Sequence, residues 1–507
     1  MAERNSVLKN SLALYIRMGI MMLVTLYSSR IVLDCLGVTD FGIYNVVGGV
    51  VVLASFVNNI LKIAVRRFVA VEMVKGGGSV LSVFRSGMVA VAIVGAVVLL
   101  VLETVGLWFL NAKLNIPSDR MFVANILYQL SIATYLFNLF SIPYDSAIVA
   151  YERMNIYAYI GILEALMRLG LALALQLDLK IDKLLLYGIL MLCTAIIVRL
   201  LNASYCNKKL LTEKAPWHLD KPMLKSMMNY SSWSMAGAII GLISTPGLSM
   251  IFNIFYGVAI NAAIGVAHQI QGAVSQFVSN FQTAFNPRLT KMYASEGLSN
   301  NTFSFMLKVS KMVIGLELLL AVPILLNINE ILKVWLTVIP DNTAFITIVS
   351  TLYFIIDGAA CPLYVLVYAK GDVKFYQIVL SVINILFIGA VYTACKLGGE
   401  FTHVYPLYII CSLALYFSRL YILKRIMNFD VTLYIKKIIL PLLPIIIVVV
   451  AYGYLTYRVL DNDVLNLLIK AFIDVLIALG LTYFAYLNKE ERAFIKGFII
   501  SKIKRAQ

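Results

Sequence analysis

The chain has 507 residues, 61% hydrophobic and only 13% charged, with a formal net charge of +16 and a mean hydropathy of +0.89. A soluble globular chain is nearer a quarter charged, so composition excludes an ordinary soluble fold. The basic excess reads as helix flanks set against anionic lipid rather than as a nucleic-acid surface.

Nearly every apolar run is about 20 residues long, enough to cross a hydrocarbon core of roughly 30 Å as a helix. Helices are required because lipid offers no other partner for backbone polar groups. The alternating ten-residue strands of a membrane barrel do not occur. In chain order the expected spans are 10–36, 42–64, 83–110, 119–144, 155–177, 184–204, 226–254, 258–283, 304–328, 342–368, 375–395, 402–422, 434–456 and 464–487. The first run follows Arg4 and Lys9, contains Arg17 and lacks an A-x-A site, so it reads as a retained helix and not a signal peptide. The six cysteines form no CxxC motif and read as small core residues, with no metal, disulfide or cofactor role.

With the N-terminus inside, cytoplasmic segments carry 30 of the 42 basic residues, outside loops 7, and the spans themselves five. That bias predicts both termini in the cytoplasm and an even number of spans. The longest polar connector, 207–225, divides an N-lobe (1–206) from a C-lobe (226–425), and 426–507 is an appended helix pair with a cytoplasmic tail. The lobes echo one another at an offset of about 220: LGVTDFGIYNVV sets Gly37 over Gly257 in YGVAINAAIGVA, and AVRRFVAVEM sets Arg67 near Arg288 in AFNPRLTKMY. The expected fold is therefore all-α and integral to the membrane, with about 14 spans. Two six-helix lobes are related by a parallel pseudo-two-fold repeat, an arrangement that often places a substrate site between lobes.

Ionisable residues inside a span cost roughly 2.5–3.5 kcal/mol on insertion scales, which makes each a functional candidate. Glu164 and Arg168 lie one turn apart in the fifth span, as helix glue or as lumen lining. Lys470 and Asp474 repeat that spacing in the last span. Glu317 and Asp357 have no charged neighbour at helical spacing. They read either as carriers of a coupling proton or as protonated carboxyls bonded within the bundle. Arg17 lies about 12 Å deeper than Lys9, with no acid three or four residues away. No nucleotide-binding domain is present, so ATP is not the direct energy source.

The opening KNSLALYIRMGIMMLVTLYSSRIVLDCLGVTDFGIYNVVGGV and the stretch FNPRLTKMYASEG resemble bacterial polysaccharide flippases of the Wzx type, in the multidrug/oligosaccharidyl-lipid/polysaccharide (MOP) exporter superfamily. The resemblance implies a bacterial inner-membrane protein of lipopolysaccharide or polysaccharide biosynthesis. It implies two lobes around a cavity that opens alternately inward and outward. The cargo would be an undecaprenyl-pyrophosphate-linked oligosaccharide, such as an O-antigen, capsule or exopolysaccharide repeat unit, moved to the outer leaflet unchanged. The implied partners are that cargo, membrane lipids, a coupling ion (H+ or Na+) and a polysaccharide polymerase. On this reading Arg17, Arg66, Arg67, Arg168 and Arg288 are candidates to meet the pyrophosphate, and Glu164, Glu317, Asp357 and Asp474 are the candidate coupling or lumen carboxylates. Arg17 has a second reading, as a structural partner of Glu164. The alternative function is a cation-coupled multidrug antiporter of the same superfamily, whose lumen is expected to be acidic rather than basic.

Overall fold

The computed structural model describes residues 2–492 except 56, 59–60, 63, 66–67, 70–71, 73–79, 152, 178–179, 212–219, 372, 457–463 and 490. The side chains of 2–18, 20–21, 229–246 and a few single positions also lie outside the described set. The described elements are all helices. They are α1 (Ala2–Val52), α2 (Val80–Val101), α3 (Leu107–Ala112), α4 (Met121–Ala150), α5 (Met154–Ala174) and α6 (Lys183–Lys209). Then come α7 (Lys221–Tyr256), α8 (Val258–Glu296), α9 (Asn300–Leu326), α10 (Ile328–Trp335), α11 (Thr343–Ala359) and α12 (Cys361–Lys370). The last six are α13 (Val373–Lys396), α14 (Phe401–Val404), α15 (Leu407–Met427), α16 (Val431–Tyr434), α17 (Leu442–Thr456) and α18 (Val464–Gly480). Three π-turns, Leu102–Gly106, Ile435–Ile439 and Leu481–Tyr486, extend neighbouring helices.

Short polar residues start these helices by taking up free backbone N–H groups. Asp182 accepts from the amides of Leu184 and Leu185 at α6, Asp220 from Met223 at α7, and Ser299 from Thr302 at α9. Eleven helices among the described residues are long and apolar enough to cross a membrane, and the protein is a multi-pass membrane protein. The expected count of fourteen is not reached for identifiable reasons. The span at 42–64 and the one at 226–254 fall partly outside the described residues. The span at 258–283 is helical within α8, but Asn261, His268, Gln269, Gln271 and Gln276 keep it out of the apolar set. Only 11% of the apolar window in each of the last two spans is buried, against 50% in α9. The final pair therefore turns most of its apolar surface outward, where lipid can cover it.

Packing divides the chain into two compact units. Unit 1 is Met1–Gly265 with Leu336–Asp341, and unit 2 is Val266–Trp335 with Asn342–Gln507. In unit 1, α4 packs along α6, and α1 along α5. Two glycines 220 residues apart break their helices in the same way: Gly37 has φ 74°, ψ 173° and Gly257 has φ 81°, ψ −176°. This backbone region is essentially confined to glycine. The chain segments that follow the two breaks meet closely. A Cβ at Gly42 would overlap the carbonyl oxygen of Val258, and one at Gly265 would overlap the Asn45 side chain. Buried amides close the corner: Asn253 accepts from the Asn115 amide at 2.8 Å and donates to Asn261 at 2.9 Å. Gly42→Ala is expected to destabilise the protein by about 1–3 kcal/mol because backbone must move. Gly48→Ala, with nothing within 4 Å of its added methyl, serves as the neutral control in the same thermal-unfolding series.

In unit 2, α9 packs against α11 and α18, and α15 against α11 and α13. Val313, Leu363, Leu366, Ile422 and Tyr434 are fully buried in its core.

Candidate functional site

Three ionisable residues of unit 2 lie close together on three helices. Glu317 lies 17 residues into α9, roughly 26 Å along the axis, and Asp357 lies 14 residues into α11, roughly 21 Å along it. Both are far from the helix starts. Glu317 is 0% exposed, and neither carboxyl oxygen has a hydrogen-bond partner. Its carboxyl rests on the backbone of Gly358, where a Cβ would overlap Oε1. Asp357, one residue earlier, accepts at 2.8 Å from Arg419 Nη1, which reaches across from α15. The Arg419 side chain is 10% exposed and that of Asp357 42%, so the pair leads from the buried carboxyl toward an accessible face. Arg419 Nε has no acceptor. Around the three lie Cys361, Tyr364 and Tyr416, and the Tyr416 hydroxyl pairs with that of Tyr434 at 2.9 Å.

This arrangement holds one compensated and one uncompensated carboxyl. An isolated carboxylate is expensive to bury, which makes Glu317 a candidate proton-binding group. With Glu317 protonated, the set of Glu317, Asp357 and Arg419 carries no net charge. The set places a buried, unpartnered carboxyl beside an ion pair.

Asp474 is 3% exposed and accepts from Asn327 Nδ2 at 2.5 Å, joining α18 to the end of α9. Nearer the cytoplasmic ends expected from the sequence, Lys311 donates to Glu491 at 2.9 Å, with side chains 7% and 6% exposed. Arg288 is exposed and stacks on the Phe305 ring at 4.6 Å.

In unit 1, Arg168 donates to Glu164 Oε1 at 2.9 Å along α5. The two side chains are 47% and 31% exposed. The rings of Tyr44 and Tyr187, which meet edge-on at 4.8 Å, lie within its electrostatic reach. A charged pair in the middle of a span must face protein or water rather than lipid. The side chain of Arg17 and all of Arg66 and Arg67 lie outside the described residues.

A second cluster was not expected. Arg120 donates from Nε to Asp40 at 2.8 Å and from Nη1 to Asp182 at 2.7 Å, and its Nη2 also contacts Asp40. Burial alone raises the Asp182 carboxyl, but Arg120 and the amides of Leu185 and Leu184 outweigh it, leaving it below the usual carboxylate range. A depressed folded-state value contributes stability above the unfolded value, and that stability is lost as pH falls through the folded one. The Asp182 arm of the clasp therefore contributes its stability at neutral pH and loses it in acid.

Neither Arg120 nor Arg419 stood out in the sequence. Arg120 reads as a loop cation and Arg419 as a cytoplasmic anchor near Lys424 and Arg425. The available signal for Arg419 was depth: it lies a turn and a half inside those two, within an apolar run.

No family model matches the sequence, and no curated protein matches it. Solved structures do match. The lipid II flippase MurJ, in an inward closed conformation, superposes with a TM-score of 0.68 at 13% identity, covering 94% of this chain and 99% of that one. The chain shares the fold of that flippase. An inward-facing multidrug resistance transporter of the MATE family, also of the MOP superfamily, gives 0.62 at 11% identity over 82% of this chain and 99% of that one. The eukaryotic MATE transporter AtDTX14 gives 0.53 at 13% identity over 82% and 92%. At these identities the likeness concerns the fold. The superposition on the lipid flippase takes in 94% of this chain, against 82% for either multidrug transporter.

Proposed function

We propose that the chain is an ion-coupled flippase. It carries an undecaprenyl-pyrophosphate-linked oligosaccharide, the repeat unit of an O-antigen, capsule or exopolysaccharide, from the cytoplasmic to the outer leaflet of a bacterial inner membrane. It acts by alternating access, without covalent change to the cargo, and both termini are cytoplasmic. The observation that carries this reading is the extent of the likeness to a lipid flippase: 94% of the chain, against 82% for the MATE transporters. The excess fits the pair of helices at 426–507 appended to a two-lobe core.

Two further observations support the reading. The matching breaks at Gly37 and Gly257, and the close approach of Asn45 to Gly265, its counterpart at the 220 offset, suit a chain built from two parallel repeats. The Arg168 and Glu164 side chains are 47% and 31% exposed in mid-span, which suits residues lining a watery path. In this mechanism Arg17, Arg66, Arg67, Arg168 and Arg288 guide the pyrophosphate, and Glu317 with Asp357 couples the cycle to an ion. Arg17 is the principal phosphate ligand, because a guanidinium fork engages two oxygens and stays charged at every relevant pH.

The test is complementation of a strain deleted for this gene. Arg17→Ala should insert at wild-type level yet lower surface polysaccharide about tenfold or more, the loss of one charge-assisted contact. Arg17→Lys should restore export in part. Wild-type export from a well-expressed Arg17→Ala protein would remove the phosphate-ligand role. Unchanged polysaccharide in the deletion strain, with loss of cationic dye efflux, would replace the flippase reading by multidrug antiport.

A further inference from the structure

We propose that Arg419 is the residue that selects the coupling ion: a tethered cation that fills the Asp357 carboxylate, leaving Glu317 to bind and release a proton. The inference rests on the ion-coupled reading above and names the ion. A carboxylate offered to sodium needs open coordination, with several oxygens converging on the ion. Asp357 instead accepts a 2.8 Å hydrogen bond at Oδ1 from Arg419 Nη1, and a guanidinium, which keeps its charge throughout, repels a second cation from the remaining oxygen. The other carboxyl of the site is built for a proton and not a metal. Glu317 is fully buried, has both oxygens unpartnered, and is pressed on the Gly358 backbone.

The groups that face Glu317 from the packed elements are few. They are Asp357 from α11, Cys361 from α12, Tyr416 from α15 and Tyr486 from the turn after α18. Among the described residues Asp357 is the only charged one of these, and Arg419 is paired with it. When Glu317 gives its proton to water, its new charge stands beside Asp357 with only one guanidinium between two carboxylates. The repulsion returns the proton to Glu317, since Arg419 stays committed to Asp357. The ionised state is thereby made transient without a metal ion.

The experiment uses the purified full chain in nanodiscs and does not depend on any cargo. The infrared spectrum at neutral pH should contain a protonated carboxylic-acid band that disappears in Glu317→Gln. Thermal unfolding of the wild-type protein should be the same in sodium chloride and in choline chloride. Arg419→Gln removes the tethered cation, and sodium should then raise the unfolding temperature of that variant specifically. A sodium-specific rise in the wild-type protein, or a carboxylic-acid band that survives Glu317→Gln, would overturn the proposal. If Arg419→Gln does not fold, the two measurements on wild type and Glu317→Gln decide alone. Failure of oligosaccharide flipping would sink the proposed cargo and leave these outcomes untouched.

Discussion

Lys311→Ala is expected to destabilise the protein by about 3–5 kcal/mol, the usual consequence of removing one partner from a buried ion pair. The Lys311 ammonium is bonded to Glu491 at 2.9 Å and to the Tyr486 carbonyl at 3.2 Å, and it lies 5.4 Å from the Tyr486 ring. Truncation strands the Glu491 carboxylate in a site that is 6% exposed. Glu491 also accepts from the Asn488 amide, so the loss reaches the turn that ends the last helix. Adding Glu491→Gln to Lys311→Met should recover most of the loss, because the amide keeps an acceptor for Asn488 while no charge is left buried. Thermal unfolding in detergent measures both. Equal unfolding temperatures for Lys311→Ala and wild type would mean that the last helix is not anchored through this pair.

The second large effect is on coupling. Glu317→Gln combined with Asp357→Asn should abolish transport driven by a pH gradient while leaving downhill equilibration of cargo. Asp357→Asn alone strands Arg419, whose side chain is 10% exposed, and is expected to lower stability as well. Glu317→Gln is therefore the cleaner single variant: it keeps the shape against Gly358 and removes only the proton-binding oxygen. Retention of full gradient-driven transport by the double variant would take both carboxyls out of the mechanism.

Much of this fold is legible in the sequence because lipid imposes a coarse rule. Runs of about 20 apolar residues become helices, and eleven of them do so among the described residues. The paired helix breaks are legible too, since Gly37 and Gly257 align in the internal echo and adopt the same backbone conformation. Pairing within one helix can also be read directly. Glu164 and Arg168 are four residues apart and meet. Pairing between helices cannot be read in this way. Arg419 and Asp357 are separated by 62 residues, Arg120 and Asp40 by 80, and Lys311 and Glu491 by 180, and no periodicity reports such contacts. For that reason Asp357 looks unpartnered in sequence, and Arg419 looks like one more anchor in a basic helix end. Glu317 is the opposite case, isolated in the sequence and without a hydrogen-bond partner in the structure, although Asp357 stands near it. The polar character of α8 also follows from its composition, since amide side chains recur through the half that an apolar criterion would need.

The most direct test of the account is flipping in proteoliposomes loaded with a fluorescent undecaprenyl-pyrophosphate oligosaccharide, scored by a quencher added outside. The wild-type protein should move the labelled lipid between leaflets, faster and further when a pH gradient is imposed, and Arg17→Ala should not. A rate no greater than in protein-free vesicles, with transport of a cationic dye by the same preparation, would contradict the account.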